Sequence, residues 1–198
     1  MSRLSTVLLA CILALSLAAG WLLWREGEPG GAPADSAAAS VAIGGPFKLI
    51  DQDGRVRTDR DFRGRFALIY FGYTFCPDVC PTTLALMQSA LGKLGSQSAR
   101  IAPVFVTIDP ARDTPAALKT YLASFGPNFV GLTGSQNDIA HVAHAYRVYY
   151  AKHPLAGGAY AMDHSSVIYL MGPDGKYVKF YDDDIGAKAL AEDLRKQL

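Results

Sequence analysis

The stretch that most constrains this chain runs Tyr70-Phe71-Gly72-Tyr73-Thr74-Phe75-Cys76-Pro77-Asp78-Val79-Cys80-Pro81. An apolar segment, Phe66 to Phe71, precedes the cysteines and reads as a buried strand. Leu84, Met87, Leu91 and Leu94 follow at spacings of three and four, the period of a helix with one apolar face. Two thiols therefore fall where a strand turns into a helix N-terminus. Free backbone N–H groups and the positive end of the helix dipole lie close by. Such a setting lowers a thiol pKa from its ordinary value of about 8.5 and favours the thiolate, the form that attacks disulfides and binds metals. Pro81 has no N–H to contribute, which costs nothing in a first turn. The helix is predicted to start between Val79 and Pro81, with Cys76 in the loop and Cys80 in or beside the first turn.

The spacing is C-x-x-x-C, one residue longer than the redox C-x-x-C motif. Three chemistries fit it: a structural disulfide, a thiol–disulfide exchange site, and a soft metal site completed by a ligand from elsewhere. A closed zinc site needs four ligands, and the chain has no second cysteine pair to supply them.

The start of the chain, Met1-Ser2-Arg3, leads into an uncharged apolar run from Leu4 to Trp24. At roughly 20 residues it is long enough to cross a bilayer as a helix. Trp21 and Trp24 sit at one end, as interfacial aromatics do. Arg3 and the terminal amine place residues 1–3 in the cytoplasm and everything after Trp24 outside it. Leu8-Leu9-Ala10-Cys11 resembles a lipoprotein cleavage box, but the apolar run continues well past it, so an uncleaved anchor is predicted. Residues 25–41, rich in Gly, Ala, Pro and Ser, read as a flexible tether. Residues 42–198 suffice for one domain with its own core. A formal net charge of +1 gives no electrostatic footprint for nucleic acid.

Within the domain, Phe47–Ile50 and Arg55–Thr58 flank an Asp-Gly turn and read as a hairpin. A strand at 66–71 and a helix to Leu94 follow. Ile101–Ile108 reads as a buried parallel strand ending in Asp109-Pro110. Thr114-Pro115 starts a helix that runs to about Phe125, and Phe129–Gly131 is a short strand. Ser135-x-x-Asp138 is a capping box for a helix to Tyr146. Strands at Val148–Ala151, Val167–Met171 and Tyr177–Tyr181 precede a closing helix, Ile185–Gln197. This order is α/β with a mixed sheet, and a cysteine pair at the first strand–helix junction points to a thioredoxin-like fold.

Four histidines are candidates for a third functional group. His141 and His144 lie three apart on a helix, a spacing that exposed polar positions also produce. His153 precedes Pro154 in a Gly-containing loop. His164 stands in Met162-Asp163-His164-Ser165-Ser166, directly before the strand at 167–171. In a thioredoxin-like topology that loop packs against the cysteine loop, and a neutral imidazole there would be a good copper or zinc ligand.

These segments resemble the SCO/SenC copper proteins. The likeness rests on Phe75-Cys76-Pro77-Asp78-Val79-Cys80-Pro81, Thr107-Ile108-Asp109-Pro110-Ala111-Arg112-Asp113-Thr114-Pro115, Val130-Gly131-Leu132-Thr133-Gly134, Ala145-Tyr146-Arg147-Val148-Tyr149-Tyr150 and Asp163-His164. The resemblance implies a thioredoxin-like domain on a single membrane anchor, in the bacterial inner membrane facing the periplasm or in the mitochondrial inner membrane. It implies copper held by Cys76, Cys80 and His164, as Cu(I) and also as Cu(II) with an added oxygen ligand for which Asp78 and Asp163 are candidates. The implied role is a metallochaperone rather than an enzyme. Its partners would be subunit II of cytochrome c oxidase, an upstream copper donor and a thiol reductant. It would act by copper delivery, by thiol reduction through a reversible Cys76–Cys80 disulfide, or by both. The rival reading is a thiol–disulfide oxidoreductase that needs no metal.

Overall fold

The computed structural model describes residues 42–198, together with Ser16, Leu17, Gly20 and Trp21, which are helical. The predicted anchor at 4–24 and tether at 25–41 otherwise lie outside the described residues. Among the described residues no helix is long and apolar enough to cross a membrane.

The domain is built on β3 (Phe66–Gly72) and β4 (Ile101–Thr107), both buried along their whole length. They pair in parallel, and β5 (Val130–Thr133) joins β4 in the same sense. Continuous apolar runs are what a strand covered on both faces requires. Antiparallel strands close the two sides. On one lie β1 (Lys48–Asp51) and β2 (Val56–Thr58), on the other β8 (Val167–Met171) and β9 (Tyr177–Asp182). The seven-stranded order is β2-β1-β5-β4-β3-β8-β9. The expected mixed α/β sheet is thus present.

Helix α1 (Val79–Leu94) buries Cys80, Thr83, Leu84, Met87, Ala90, Leu91 and Leu94. It packs with the closing helix α4 (Ala187–Gln197). Helix α2 (Pro115–Leu122), capped by the Thr114 hydroxyl with Pro at its start, covers the same face. There Tyr121 meets Phe105, and a methyl at Gly131 would strike the side chain of Leu122 at 2.4 Å. The opposite face is closed by α3 (Gln136–Ala145), which has the predicted Ser135–Asp138 capping box. Tyr146, just past its end, packs its ring on Phe71 and Tyr169.

Three boundaries differ from expectation. The strand expected at 129–131 is Val130–Thr133, because its register is set by pairing with β1 and β4. The closing helix starts at Ala187 rather than Ile185, after Gly186 at φ 73°. Its buried face is Leu190, Ala191 and Leu194, and Ala189 is exposed. The strand expected at 148–151 is instead β6 (Tyr150–Pro154), which pairs with β7 (Tyr160–His164) as a separate two-stranded hairpin. Its residues are mostly exposed, and without a continuous apolar run neither strand gave a strong sequence pattern.

Parallel pairing puts the carboxyl ends of β3 and β4 side by side, and a buried carboxylate ties the loops beyond them together. Asp113 accepts from the Thr74 amide at 3.0 Å, the Thr74 hydroxyl at 2.6 Å and the Thr107 hydroxyl at 2.6 Å. Burial pushes its carboxyl above the ordinary range, against those hydrogen bonds. Asp113→Ala should cost about 2–4 kcal/mol in urea unfolding, since buried donors are left unpaired, whereas Asp113→Asn should cost less than about 1.5 kcal/mol. A raised folded-state pKa means the native state holds the proton longer. Relative to Asp113→Asn, the wild type should therefore lose stability as pH rises through and above the ordinary aspartate value of about 3.9.

Candidate metal centre

After β3 the chain turns tightly, with the Cys76 amide donating to the Tyr73 carbonyl at 3.2 Å. Cys80 follows in the first turn of α1, as the prolines and the apolar period predict. It is fully buried, and Cys76 is partly exposed. Gly72 makes room for it: a Cβ there would lie 2.7 Å from the Cys80 Sγ. The Cys80 amide donates to the Cys76 Sγ at 3.4 Å, so a first-turn N–H of the helix points at the first thiol.

His164 ends β7 opposite Tyr150. Its ring stands edge-on to Tyr70 at 6.1 Å and to Tyr73 at 6.0 Å, centroid to centroid. Its Nδ1 lies 3.1 Å from the Ser165 carbonyl oxygen and its Nε2 lies 3.4 Å from the Cys80 Sγ. A carbonyl can only accept, so the proton of the neutral ring sits on Nδ1. The Nε2 lone pair then faces the cysteines, which is the tautomer a metal ligand needs. One ligand atom from each of Cys76, Cys80 and His164 lies within 4.8 Å of the other two.

The two thiols are unequal. Hydrogen bonding from Cys80 draws the Cys76 thiol down to about 5 against its burial. Cys80 is pushed the other way, first by its contact with the Cys76 thiolate and then by burial. The metal-free pair therefore holds a single thiolate, on Cys76. Two sulfurs and an imidazole are soft donors, and three of them leave a coordination position open. That set suits Cu(I), and the same ligands with an oxygen suit Cu(II).

The remaining candidates lie outside this cluster. Asp78 holds the N-cap position of α1, makes no side-chain capping bond and is exposed. Asp163 points away from His164 along the strand and pairs with His153 at 3.5 Å. His153 therefore lies on β6, not in a loop as expected. His141 and His144 are exposed on α3, and His141 Nε2 lies 3.3 Å from the Pro46 carbonyl oxygen.

The sequence pattern of the SCO1/SenC family matches residues 35–198. The chain belongs to this family. The chain is similar to Bradyrhizobium japonicum ScoI, solved with copper bound. They are 45% identical, and the match covers 79% of this chain and 100% of that one with a TM-score of 0.75. It is 41% identical over 162 residues to the mitochondrial SCO1 homolog 1 of Arabidopsis thaliana, covering 81% of this chain and 48% of the relative. The chain thus spans about half the length of that plant protein. A second solved structure, BsSco, is described as having a disulfide switch and as a member of the Sco family of cytochrome c oxidase assembly proteins. It is 28% identical, with 79% of this chain and 93% of that one covered and a TM-score of 0.64.

Sequence reasoning from residue types left out the frame around the SCO1/SenC site. Tyr70 is wholly buried with its hydroxyl 3.9 Å from the Cys80 Sγ, and Tyr73 is buried beside it. Asp109 and Arg112, in the loop after β4, reach the same region. The available signal was topological: loops at the carboxyl ends of neighbouring parallel strands share one edge of the sheet.

Alkylation of the reduced, metal-free protein tests the inequality of the thiols. Modification of Cys76 should rise with a midpoint near pH 5, as its pKa requires, while Cys80 stays unmodified at neutral pH. Mass mapping after iodoacetamide treatment at several pH values reads both. Equal labelling of the two thiols would refute the assignment.

Proposed function

We propose that this protein is a membrane-tethered copper-binding assembly factor that serves the dinuclear copper centre of cytochrome c oxidase subunit II. The observation that carries the proposal is the convergence of the Cys76, Cys80 and His164 ligand atoms within 4.8 Å. Family membership and the copper-bound ScoI support it. Copper is the cargo. Both cysteines and Nε2 of His164 hold Cu(I), and the open position admits a ligand from the partner during transfer. Cu(II) takes an additional oxygen, from water or from the exposed Asp78 between the cysteines; Asp163, which faces away from His164 toward His153, is the less suited of the two candidates. Metal occupancy is coupled to redox state, because oxidation of Cys76 and Cys80 to a disulfide removes both thiolates.

The second reading is thiol reduction. A thiolate at Cys76 with Cys80 behind it is the layout of an attacking and a resolving thiol. Attack on a partner disulfide and resolution by Cys80 would reduce the partner by two electrons and leave Cys76–Cys80 oxidised. The disulfide switch described for BsSco favours including this step. An upstream copper donor and a thiol reductant would complete the cycle.

The removal of His164 separates the readings. His164→Ala should retain Cu(I) on the two thiolates but lose at least about tenfold in copper affinity, since even outer-shell changes cost about 10–100-fold. Cu(II) should suffer more, and oxidase activity in cells should fall at limiting copper, while the Cys76–Cys80 couple keeps its exchange activity. Competitive titration with chelators and oxidase assays read these effects. Unchanged binding and normal oxidase activity would remove His164 from the ligand set.

We place the domain on the periplasmic side of a bacterial inner membrane, or the equivalent mitochondrial face, tethered by residues 4–24. The uncharged apolar run and its flanking charges support this. The protein should fractionate with membranes, and mass spectrometry should recover residues N-terminal to Trp24. A lipid-modified N-terminus at Cys11 would refute the anchor.

A further inference from the structure

The segment Asp109-Pro110-Ala111-Arg112 has no role in ligation, yet its arginine touches both the loop that carries Cys76 and the strand that carries His164. The Arg112 guanidinium lies 5.6 Å from the ring centre of Tyr73 and 4.6 Å from that of Phe75, both in the loop leading to Cys76. It lies 3.7 Å from the ring centre of Tyr160, which opens β7. Its Nη1 donates to the Tyr160 carbonyl at 3.0 Å and its Nε donates to Asp109. The Tyr160 hydroxyl donates to the other Asp109 oxygen at 3.0 Å, closing the circuit. The Arg112 Nη2 is buried without a partner, a cost that the surrounding ring faces offset.

This contact bears on His164 through strand geometry. Tyr160, Met162 and His164 alternate along β7 and share one face, and Met162 on that face is buried. The hairpin has no ladder to the main sheet. The Ser165 amide on the Tyr149 carbonyl at 3.0 Å and the Tyr149 amide on the Ser165 hydroxyl at 3.1 Å only extend the hairpin's own pairing. Near His164 the contacts to the rest of the domain are those of its own ring, edge-on to Tyr70 and Tyr73. The hairpin's far end is held by the Arg112–Asp109–Tyr160 circuit.

We propose that Arg112 is a positioning residue that fixes the β6–β7 hairpin against the cysteine loop and so keeps His164 in reach of Cys76 and Cys80. Only a planar fork can donate to Asp109 and to the Tyr160 carbonyl while stacking on the rings, so lysine does not replace it. The copper arm of the test rests on the function proposed above; the metal-free arm does not.

Amide hydrogen exchange on the metal-free full chain is the first measurement. In Arg112→Ala, and less severely in Arg112→Lys, residues 150–164 should exchange several-fold faster while 66–72 and 101–107 keep wild-type rates. The second is Cu(II) loading followed by electron paramagnetic resonance, where the imidazole nitrogen coupling should weaken in both variants. Copper affinity should drop by about tenfold or more, the scale of outer-shell changes. Adding Arg112→Ala to His164→Ala should bring no further loss, because the effect runs through His164. Wild-type exchange rates in the hairpin of Arg112→Lys, which conserves charge and bulk, would overturn the proposal. So would equal losses of affinity from Arg112→Ala with and without His164. If no variant and no wild-type protein binds copper, the function above fails and the exchange rates still decide the positioning role.

Discussion

Everything at this site depends on the parallel pairing of β3 with β4. The pairing runs in register from Phe66 with Ile101 to Gly72 with Thr107, and the Ile108 amide extends it by donating to the Gly72 carbonyl at 2.9 Å. Both strands therefore end at the same level. The cysteine loop leaves one and the Asp109–Thr114 loop leaves the other, with Asp113 bonded across the gap. Because both strands are sheathed on both faces, their ends move little relative to each other. A thiol placed by this junction inherits that rigidity.

The ligands are held with unequal firmness. Cys80 is packed under Gly72 and Tyr70 in the core, at the start of a helix whose inner face is buried for its whole length. Cys76 is a step outward, partly exposed and electrostatically the readier thiolate. His164 comes from a hairpin outside the main sheet, anchored by the polar contacts of Tyr160 with Arg112 and Asp109 and by stacked rings. A firm dithiolate with a more adjustable imidazole suits a metal that must be released as well as bound, because one bond can lengthen without disturbing the core. A Cys76–Cys80 disulfide, the step of the second reading proposed above, would join the two thiols of one loop and helix start without drawing on the hairpin that carries His164.

Large exposed side chains cluster near this end of the chain's fold in sequence terms: Phe75 and Val79 are neighbours of the two cysteines, and Tyr149 is hydrogen-bonded to the residue after His164. Phe75 and Val79 thus leave exposed apolar surface beside the two cysteines.

Much of this was legible in the sequence because it is written in local chemistry. Unbroken apolar runs announced β3 and β4, period-3.6 spacing announced α1, Thr114-Pro115 and Ser135-x-x-Asp138 announced two helix starts, and the prolines placed Cys80 in a first turn. Strand–helix alternation fixed the α/β class. The β6–β7 hairpin escaped because its strands are short and exposed and owe their pairing to each other and to Arg112, not to a burial pattern. The choice of His164 over His141, His144 and His153 followed from topology and family resemblance, never from the histidines themselves. By itself the sequence determined which residue types were available and which elements would carry them. Only the tertiary structure decided that Nε2 faces Cys80, that Cys76 holds the thiolate and that Arg112 joins the pieces. The first and last of these depend on residues 84 and 48 positions apart in the chain, which no local preference encodes. The second depends on how a local pair four residues apart is buried.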